Sequence, residues 1–191
     1  MIVLVIGGAR SGKSAYAERL ARHLGDGEAQ ACCYLATGEA FDDEMRDRIA
    51  KHQLARGDSF FTVEEPVELA NACRKLPQGT KSVLLDCMTT WLGNISYRRE
   101  LDAERTEKSC ALEDSSAVVS WLEYLPQSHH HTVMVSNELG MGLVPADRAS
   151  REFRDAQGRL NQRVAALADL VVFMVAGLPM VLKGQLPDEH L

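Results

Sequence analysis

The stretch "GGARSGKS", Gly7 to Ser14, brings together three residue types that a triphosphate needs. Glycines let successive backbone N–H groups turn toward an anion, a lysine adds a full positive charge, and a hydroxyl offers Mg2+ a hard oxygen. The spacing is G-x-x-x-x-G-K-S, set between the apolar run "IVLVI" and a helix-patterned segment, the strand-to-helix context that the mechanism demands. Lys13 is therefore expected on the β/γ-phosphates and Ser14 on the metal, with Gly7, Gly8, Ala9, Arg10, Ser11 and Gly12 forming the cradle.

A phosphate loop works with a carboxylate at the end of a neighbouring strand, and "SVLLDC" supplies Asp86 as the second expected metal ligand. An aspartate there also suits the N-cap of a helix over "TTWLGN". Ligands of open parallel sheets gather beyond the carboxyl ends of the strands. By that rule Thr37-Gly38, Glu64-Glu65 and Asn137-Glu138 face the crevice with Lys13, and "SNELGMGLVP", with its glycines and closing proline, reads as a substrate loop on the same edge.

Histidine is the other residue with chemistry to offer. His129, His130 and His131 approach a strand from the end opposite the phosphate loop, where consecutive side chains diverge, so they read as a polar loop rather than a metal tract. His23 and His190 have no catalytic company. His52 follows "DDEMRDRIAK" with Arg48, Lys51 and Arg56 nearby, so its imidazole can meet a triphosphate already neutralised by cations. The same pattern also describes a solvated helix face, and the residues alone leave both readings open.

The elements that position these groups follow from periodicity. Short β-rich runs recur at 2–6, 31–36, 60–63, 82–87, 132–136 and 170–176. Between them, Ala17, Leu20, Ala21 and Leu24 stripe one helix, Met45 and Ile49 a second before Gly57, and Phe153, Leu160, Val164 and Leu167 a long later one. "PVELANACRKL" predicts a helix with Pro66 in its first turn, while 89–125 resolves into no single pattern. The alternation predicts an α/β, P-loop NTPase-like fold, a mostly parallel sheet with helices on both faces, in one domain over 1–191.

Composition narrows the partners. With 191 residues, 46% of them hydrophobic, the chain can bury one sizeable core. A net charge of −6 provides no field for nucleic acid or an anionic membrane. The apolar start is too short to span a bilayer and lacks a basic leader, so no membrane anchor is expected. Cys32, Cys33, Cys73, Cys87 and Cys110 are odd in number and contain no C-x-x-C pair, which predicts reduced thiols and a cytoplasmic setting.

Taken in order, "GGARSGKS", "DDEMRDRIAKHQ", "TVEEP", "LLDCMTTWLGN", "SNELGMGLVP" and "FRDAQGRLNQRVA" resemble the bifunctional adenosylcobinamide kinase/adenosylcobinamide-phosphate guanylyltransferases of bacterial cobalamin biosynthesis, over nearly the whole chain. The resemblance implies phosphorylation of adenosylcobinamide by ATP or GTP with Mg2+, then transfer of GMP from GTP. It implies that His52 carries the guanylyl group, and that Ala36, Thr37, Gly38, Gln53, Leu54, Ala55, Arg56, Glu64 and Asp86 belong to the nucleotide site with the phosphate loop. It also implies a homo-oligomer, a trimer. After the histidine the family commonly shows an Arg-Pro pair and then Trp, where this chain has Gly57 and Phe60. Two other readings stand beside it: a phosphate-loop kinase of another small alcohol, and a nucleotide-dependent switch, although no T-K-x-D-type guanine sequence is present.

Overall fold

The computed structural model describes residues 1–38, 59–102 and 110–187. His52, Gln53, Leu54, Ala55, Arg56, Gly57 and the helix expected over 42–54 lie outside them. Strands β1 (Ile2–Gly7), β2 (Cys32–Ala36), β3 (Phe61–Glu64), β4 (Ser82–Asp86), β5 (His131–Asn137), β6 (Leu170–Val175) and β7 (Leu178–Lys183) form one seven-stranded sheet in the order β3-β2-β4-β5-β1-β6-β7. Every neighbouring pair is parallel except β6 and β7.

Alternation along the central strands divides the interior into two clusters. Val3 and Val5 of β1, with Leu84 of β4 and Val133 and Val135 of β5, meet Tyr16, Ala17, Leu20 and Ala21 of α1 (Lys13–Leu24). Leu4, Ile6, Val83, Leu85 and Met134 point the other way. They meet α2 (Leu69–Arg74), α3 (Met88–Asp102), α4 (Ser116–Tyr124) and α5 (Arg148–Leu167). Both faces are covered as the run pattern requires, but among the described residues α1 alone covers one of them.

The segment without a clear period resolves into α3 and α4. In α3 the buried hydrophobic residues are Met88, Trp91, Leu92 and Ile95, a stripe at helical spacing. Trp91 stands edge-on to Trp121 of α4, with ring centres 6.5 Å apart, and its indole N–H donates to Val67 O at 2.8 Å. The helix expected from Pro66 begins later, at Leu69. Glu65 explains the delay, because its Oε1 accepts from the N–H groups of Val67 and Glu68 at 2.9 and 2.8 Å and holds Pro66 in a bend before the helix.

The seventh strand was not among the expected runs. Ala176 and Gly177 both take positive φ, 52° and 81°, the backbone of a tight hairpin turn, and β7 folds back along β6 as an exposed edge. Its proline and its consecutive apolar residues give no period-two signal. Of the histidine run expected as a loop, His129 and His130 precede the strand but His131 opens β5, with Nδ1 on the N-terminal amine at 3.1 Å, and burial pushes the pKa of His130 and His131 down. No cluster of metal-ligating side chains occurs among the described residues. No helix among them is long and apolar enough to cross a membrane.

Backbone approach fixes one joint of the sheet. A Cβ on Gly25, at the C-cap of α1, would overlap Cys32 Sγ on β2 and Ser82 Oγ on β4, whereas a Cβ on Gly158 in mid-α5 meets nothing within 4 Å. Gly25→Ala is expected to lower stability by about 1–3 kcal/mol through overpacking. Gly158→Ala is expected to raise it by about 0.5–1 kcal/mol through helix propensity. Urea unfolding of the two variants measures both, and equal midpoints would contradict the packing described.

Candidate active site

The phosphate loop connects β1 to α1 at the carboxyl edge of the sheet, and its conformation follows from its residues. Gly12 takes φ +90° at the N-cap, where a side chain would be strained. Gly7 is demanded by space, since a Cβ there would stand 2.6 Å from Met174 O and 2.8 Å from Ser11 Oγ. Arg10 also takes positive φ, 56°, and is exposed with Gly8 and Ala9, while Ser11 and Lys13 are buried and Ser14 is half-buried.

A loop that aims N–H groups inward must satisfy its carbonyls from behind. Gly7 O accepts from Glu138 N at 3.1 Å, just past β5. Gly8 O accepts from Ser11 N at 3.4 Å and from Lys13 Nζ at 3.0 Å. Ser11 O accepts from Gly177 N at 3.0 Å, and Gly12 O accepts from Tyr16 N at 3.1 Å. The turn of the unexpected hairpin is thus one support of the loop. The N–H groups of the first turn of α1 have no acceptor within the helix and carry its partial positive charge, which makes an anion seat.

Asp86 ends β4, and β5 lies between β4 and β1. Two strand spacings, about 10 Å, therefore separate it from Gly7 across the sheet edge. Tyr34 of β2, itself buried, donates its hydroxyl to Asp86 Oδ2 at 2.9 Å, and Oδ1 makes no hydrogen bond among the described residues. The Asp86–Cys87 peptide bond is cis. Cys87, next to the carboxylate, has its pKa pushed up by burial first and by the charge of Asp86 second, so it is a neutral thiol and no nucleophile.

Thr37, expected at the nucleotide, is fully buried. Its hydroxyl donates to Cys87 O at 2.9 Å and accepts from Cys87 N at 3.0 Å, and its carbonyl accepts from Asn94 Nδ2 at 2.7 Å. Its side chain thus ties β2 to the chain just after Asp86, leaving half-buried Ala36 and Gly38 as the accessible part of that segment. Glu64 is exposed at the end of β3 on the far edge, four spacings or about 20 Å from β1, so the structure does not bring it beside the cradle. Phe60 packs edge-on to Tyr34, with ring centres 6.1 Å apart.

Asn137 is a second node of the site. Its N–H donates to Thr89 Oγ1 at 3.0 Å, and its carbonyl accepts from Asn161 Nδ2 at 3.1 Å. Asn161 belongs to a buried group in which Ser136 Oγ donates to Asn161 Oδ1 at 2.6 Å, and Gln157 Nε2 donates to Ser136 Oγ and Asn161 Oδ1 at 3.0 Å. Sequence reasoning overlooked Tyr34, Asn94, Asn161 and Gly177 as supports of the site. The signals were a tyrosine in a strand run, polar residues at helical positions and a glycine after a strand, and none carries its meaning without the partner in space.

The chain matches the family described as cobinamide kinase / cobinamide phosphate guanyltransferase over residues 3–182. The bifunctional adenosylcobalamin biosynthesis protein CobP of Pseudomonas aeruginosa is 40% identical over 185 residues, 95% of this chain and 97% of that protein. The bifunctional adenosylcobalamin biosynthesis protein CobU of Escherichia coli is 36% identical over 186 residues, 96% of this chain and the whole of that protein. In fold alone, the flagellar accessory protein FlaH of Methanocaldococcus jannaschii superposes with a TM-score of 0.50 at 10% identity, covering 96% of this chain and 78% of that one. With a family match across nearly its full length and these relatives, the chain belongs to the bifunctional cobinamide kinase / cobinamide phosphate guanyltransferase family of cobalamin biosynthesis.

Proposed function

We propose that the loop from Gly7 to Ser14 seats the triphosphate for both transfers and that His52 carries GMP between GTP and the corrinoid. The observation that carries the reading is the set of supported carbonyls behind the loop: apart from Ser11 N, which bonds Gly8 O, none of the loop's N–H groups is taken up by those bonds. In the kinase step, the alcohol oxygen of cobinamide attacks the γ-phosphorus and gives up its proton to solvent, the bond from that phosphorus to the βγ-bridging oxygen breaks, and the nucleoside diphosphate leaves. Lys13 moves from Gly8 O onto the phosphate oxygens and offsets their charge.

In the second reaction, a ring nitrogen of neutral His52 attacks the α-phosphorus of GTP, and pyrophosphate leaves. The phosphate oxygen of cobinamide phosphate then attacks the same phosphorus, the P–N bond breaks, and its electron pair returns to the imidazole. Arg10, Arg48 and Arg56 are the cations assigned to the phosphoryl oxygens. Ala36, Gly38, Gln53, Leu54, Ala55 and Glu64 are assigned to the remainder of the nucleotide.

Ser14 Oγ and Asp86 Oδ1 are hard oxygen donors on the same sheet edge, a set that fits Mg2+. Bound there with its waters, Mg2+ supplies positive charge to the phosphate oxygens. Tyr34 occupies Oδ2 and so fixes which carboxylate oxygen faces the metal. We take the chain as one domain, because every described helix packs on the one sheet, and as a cytoplasmic homo-oligomer, a trimer by resemblance; the exposed apolar residues of β7 support association.

Incubation with α-labelled GTP and Mg2+ followed by denaturation is expected to leave acid-labile label on the protein, and His52→Ala to abolish it. Absence of label on active enzyme would remove the histidine from the mechanism. Lys13→Ala is expected to lose phosphorylation of cobinamide, and an undiminished rate would overturn the placement of the triphosphate. Tyr34→Phe is expected to weaken Mg2+ about tenfold, read from the Mg2+ dependence of fluorescent-nucleotide binding. An unshifted Mg2+ midpoint would refute the role given to Asp86.

A further inference from the structure

We propose that the cavity between α3, α5 and the loop over 138–147 receives an edge of the cobinamide macrocycle, so that the acceptor enters the site from this side. The proposal rests on the placement of the triphosphate given above. The cavity measures about 570 Å³. Its walls are Tyr97 and Gly93 of α3, Phe153 and Arg154 of α5, and Leu139 and Pro145 of the loop.

Its position comes from the hydrogen bonds. Asn137 is joined to α3 through Thr89 and to α5 through Asn161, and Glu138 N donates to Gly7 O. Leu139, the next residue, is cavity wall. About 7 Å of extended chain separates Leu139 from the contact at Gly7, a distance that an amide arm ending in an alcohol can span. The far end of the loop is held as firmly, since Arg151 donates to Pro145 O and Ala146 O at 2.9 and 2.7 Å, and Asp147 caps α5 through Ser150 N at 2.7 Å.

The chemistry of the walls selects the ligand. Two aromatic rings with a leucine and a proline suit the apolar face of a flat macrocycle, and Ser96 and Ser150 can serve its amide arms. The lining carries one acid, Glu100, and one base, Arg154, whose guanidinium is already paired with Asp155 at 3.2 Å, so the cavity lacks the excess positive charge that a second nucleotide needs. The volume lies within the range of small-molecule sites, about 300–1,000 Å³, but is too small for a whole corrinoid. The adjoining Met141 and Leu143, 79% and 96% exposed, offer apolar surface for the part that projects.

Gly93 provides the test, because a Cβ there meets nothing within 4 Å and a larger side chain grows into the cavity. Gly93→Leu is expected to raise KM for cobinamide at least tenfold and to weaken cobinamide binding in equilibrium dialysis without nucleotide, with KM for the nucleotide unchanged. Tyr97→Ser, at a half-exposed position, is expected to shift the same two quantities in the same direction should Gly93→Leu fold poorly. Gly158→Ala serves as the control variant, unchanged in both. Unaltered cobinamide KM and binding in both cavity variants would overturn the assignment. So would a change of mass in light scattering with those quantities unaltered, which would give the face to a second copy of the chain. Wild-type enzyme that transfers no phosphate to cobinamide is a different result, and it would overturn the function reading together with this one.

Discussion

A phosphate seat made of backbone is stable only if the carbonyl belonging to each inward-turned N–H finds a donor elsewhere, because a buried unpaired carbonyl costs about 1–3 kcal/mol. In this protein those donors come from three separate parts of the chain. The end of β5 serves Gly7, the β6–β7 turn serves Ser11, and α1 serves Gly12 and, through Lys13, Gly8. The sheet order makes this possible, since β1 lies between β5 and β6 and both neighbours finish beside the loop. The antiparallel hairpin has the same logic: its turn brings one N–H to Ser11 O and places Gly177 Cα 3.2 Å from where a Cβ on Gly12 would stand.

Asp86 is held by a different device. Its strand is not adjacent to β1, so the backbone of the loop's own strand does not pair with it. Tyr34 holds the carboxylate, and Thr37 grips the peptide after it at both N–H and carbonyl, while Asn94 fastens Thr37 O to α3 and also donates to Pro66 O at 3.0 Å. Thr37 stands just before residues 39–58 and Phe60 just after them, and Phe60 lies against Tyr34. The chain that carries His52 therefore leaves from one partner of the carboxylate strand and returns to another.

Features set by local pattern were legible in the sequence. The six expected runs are strands, and the stripe of Ala17, Leu20 and Ala21 faces the sheet. Features set by a partner in space were not. β7 packs no face into the core, so it lacks alternation, and Ala-Gly is a weaker turn signal than Asn-Gly. Pro66 suggested a helix start that Glu65 takes away by binding the next N–H groups. Thr37 was expected at the nucleotide and not as a buried clamp, since a threonine after a strand reads the same whether its hydroxyl meets a ligand or a backbone.

The two reactions of this family break different bonds of the same kind of substrate, one at the γ-phosphorus and one at the α-phosphorus. If one cradle serves both, the difference cannot arise in the cradle. Its carbonyls are anchored at four residues, and the carboxylate strand is clamped independently. What remains to vary is the nucleophile and the side from which it comes. In the reading proposed above the alcohol enters from the cavity between α3 and α5, past Glu138, whereas His52 belongs to the stretch of sequence between β2 and β3. With the triphosphate held in one backbone cradle, a change of nucleophile is enough to move the reaction from one phosphorus atom to the other, because the groups that seat the anion serve both attacks.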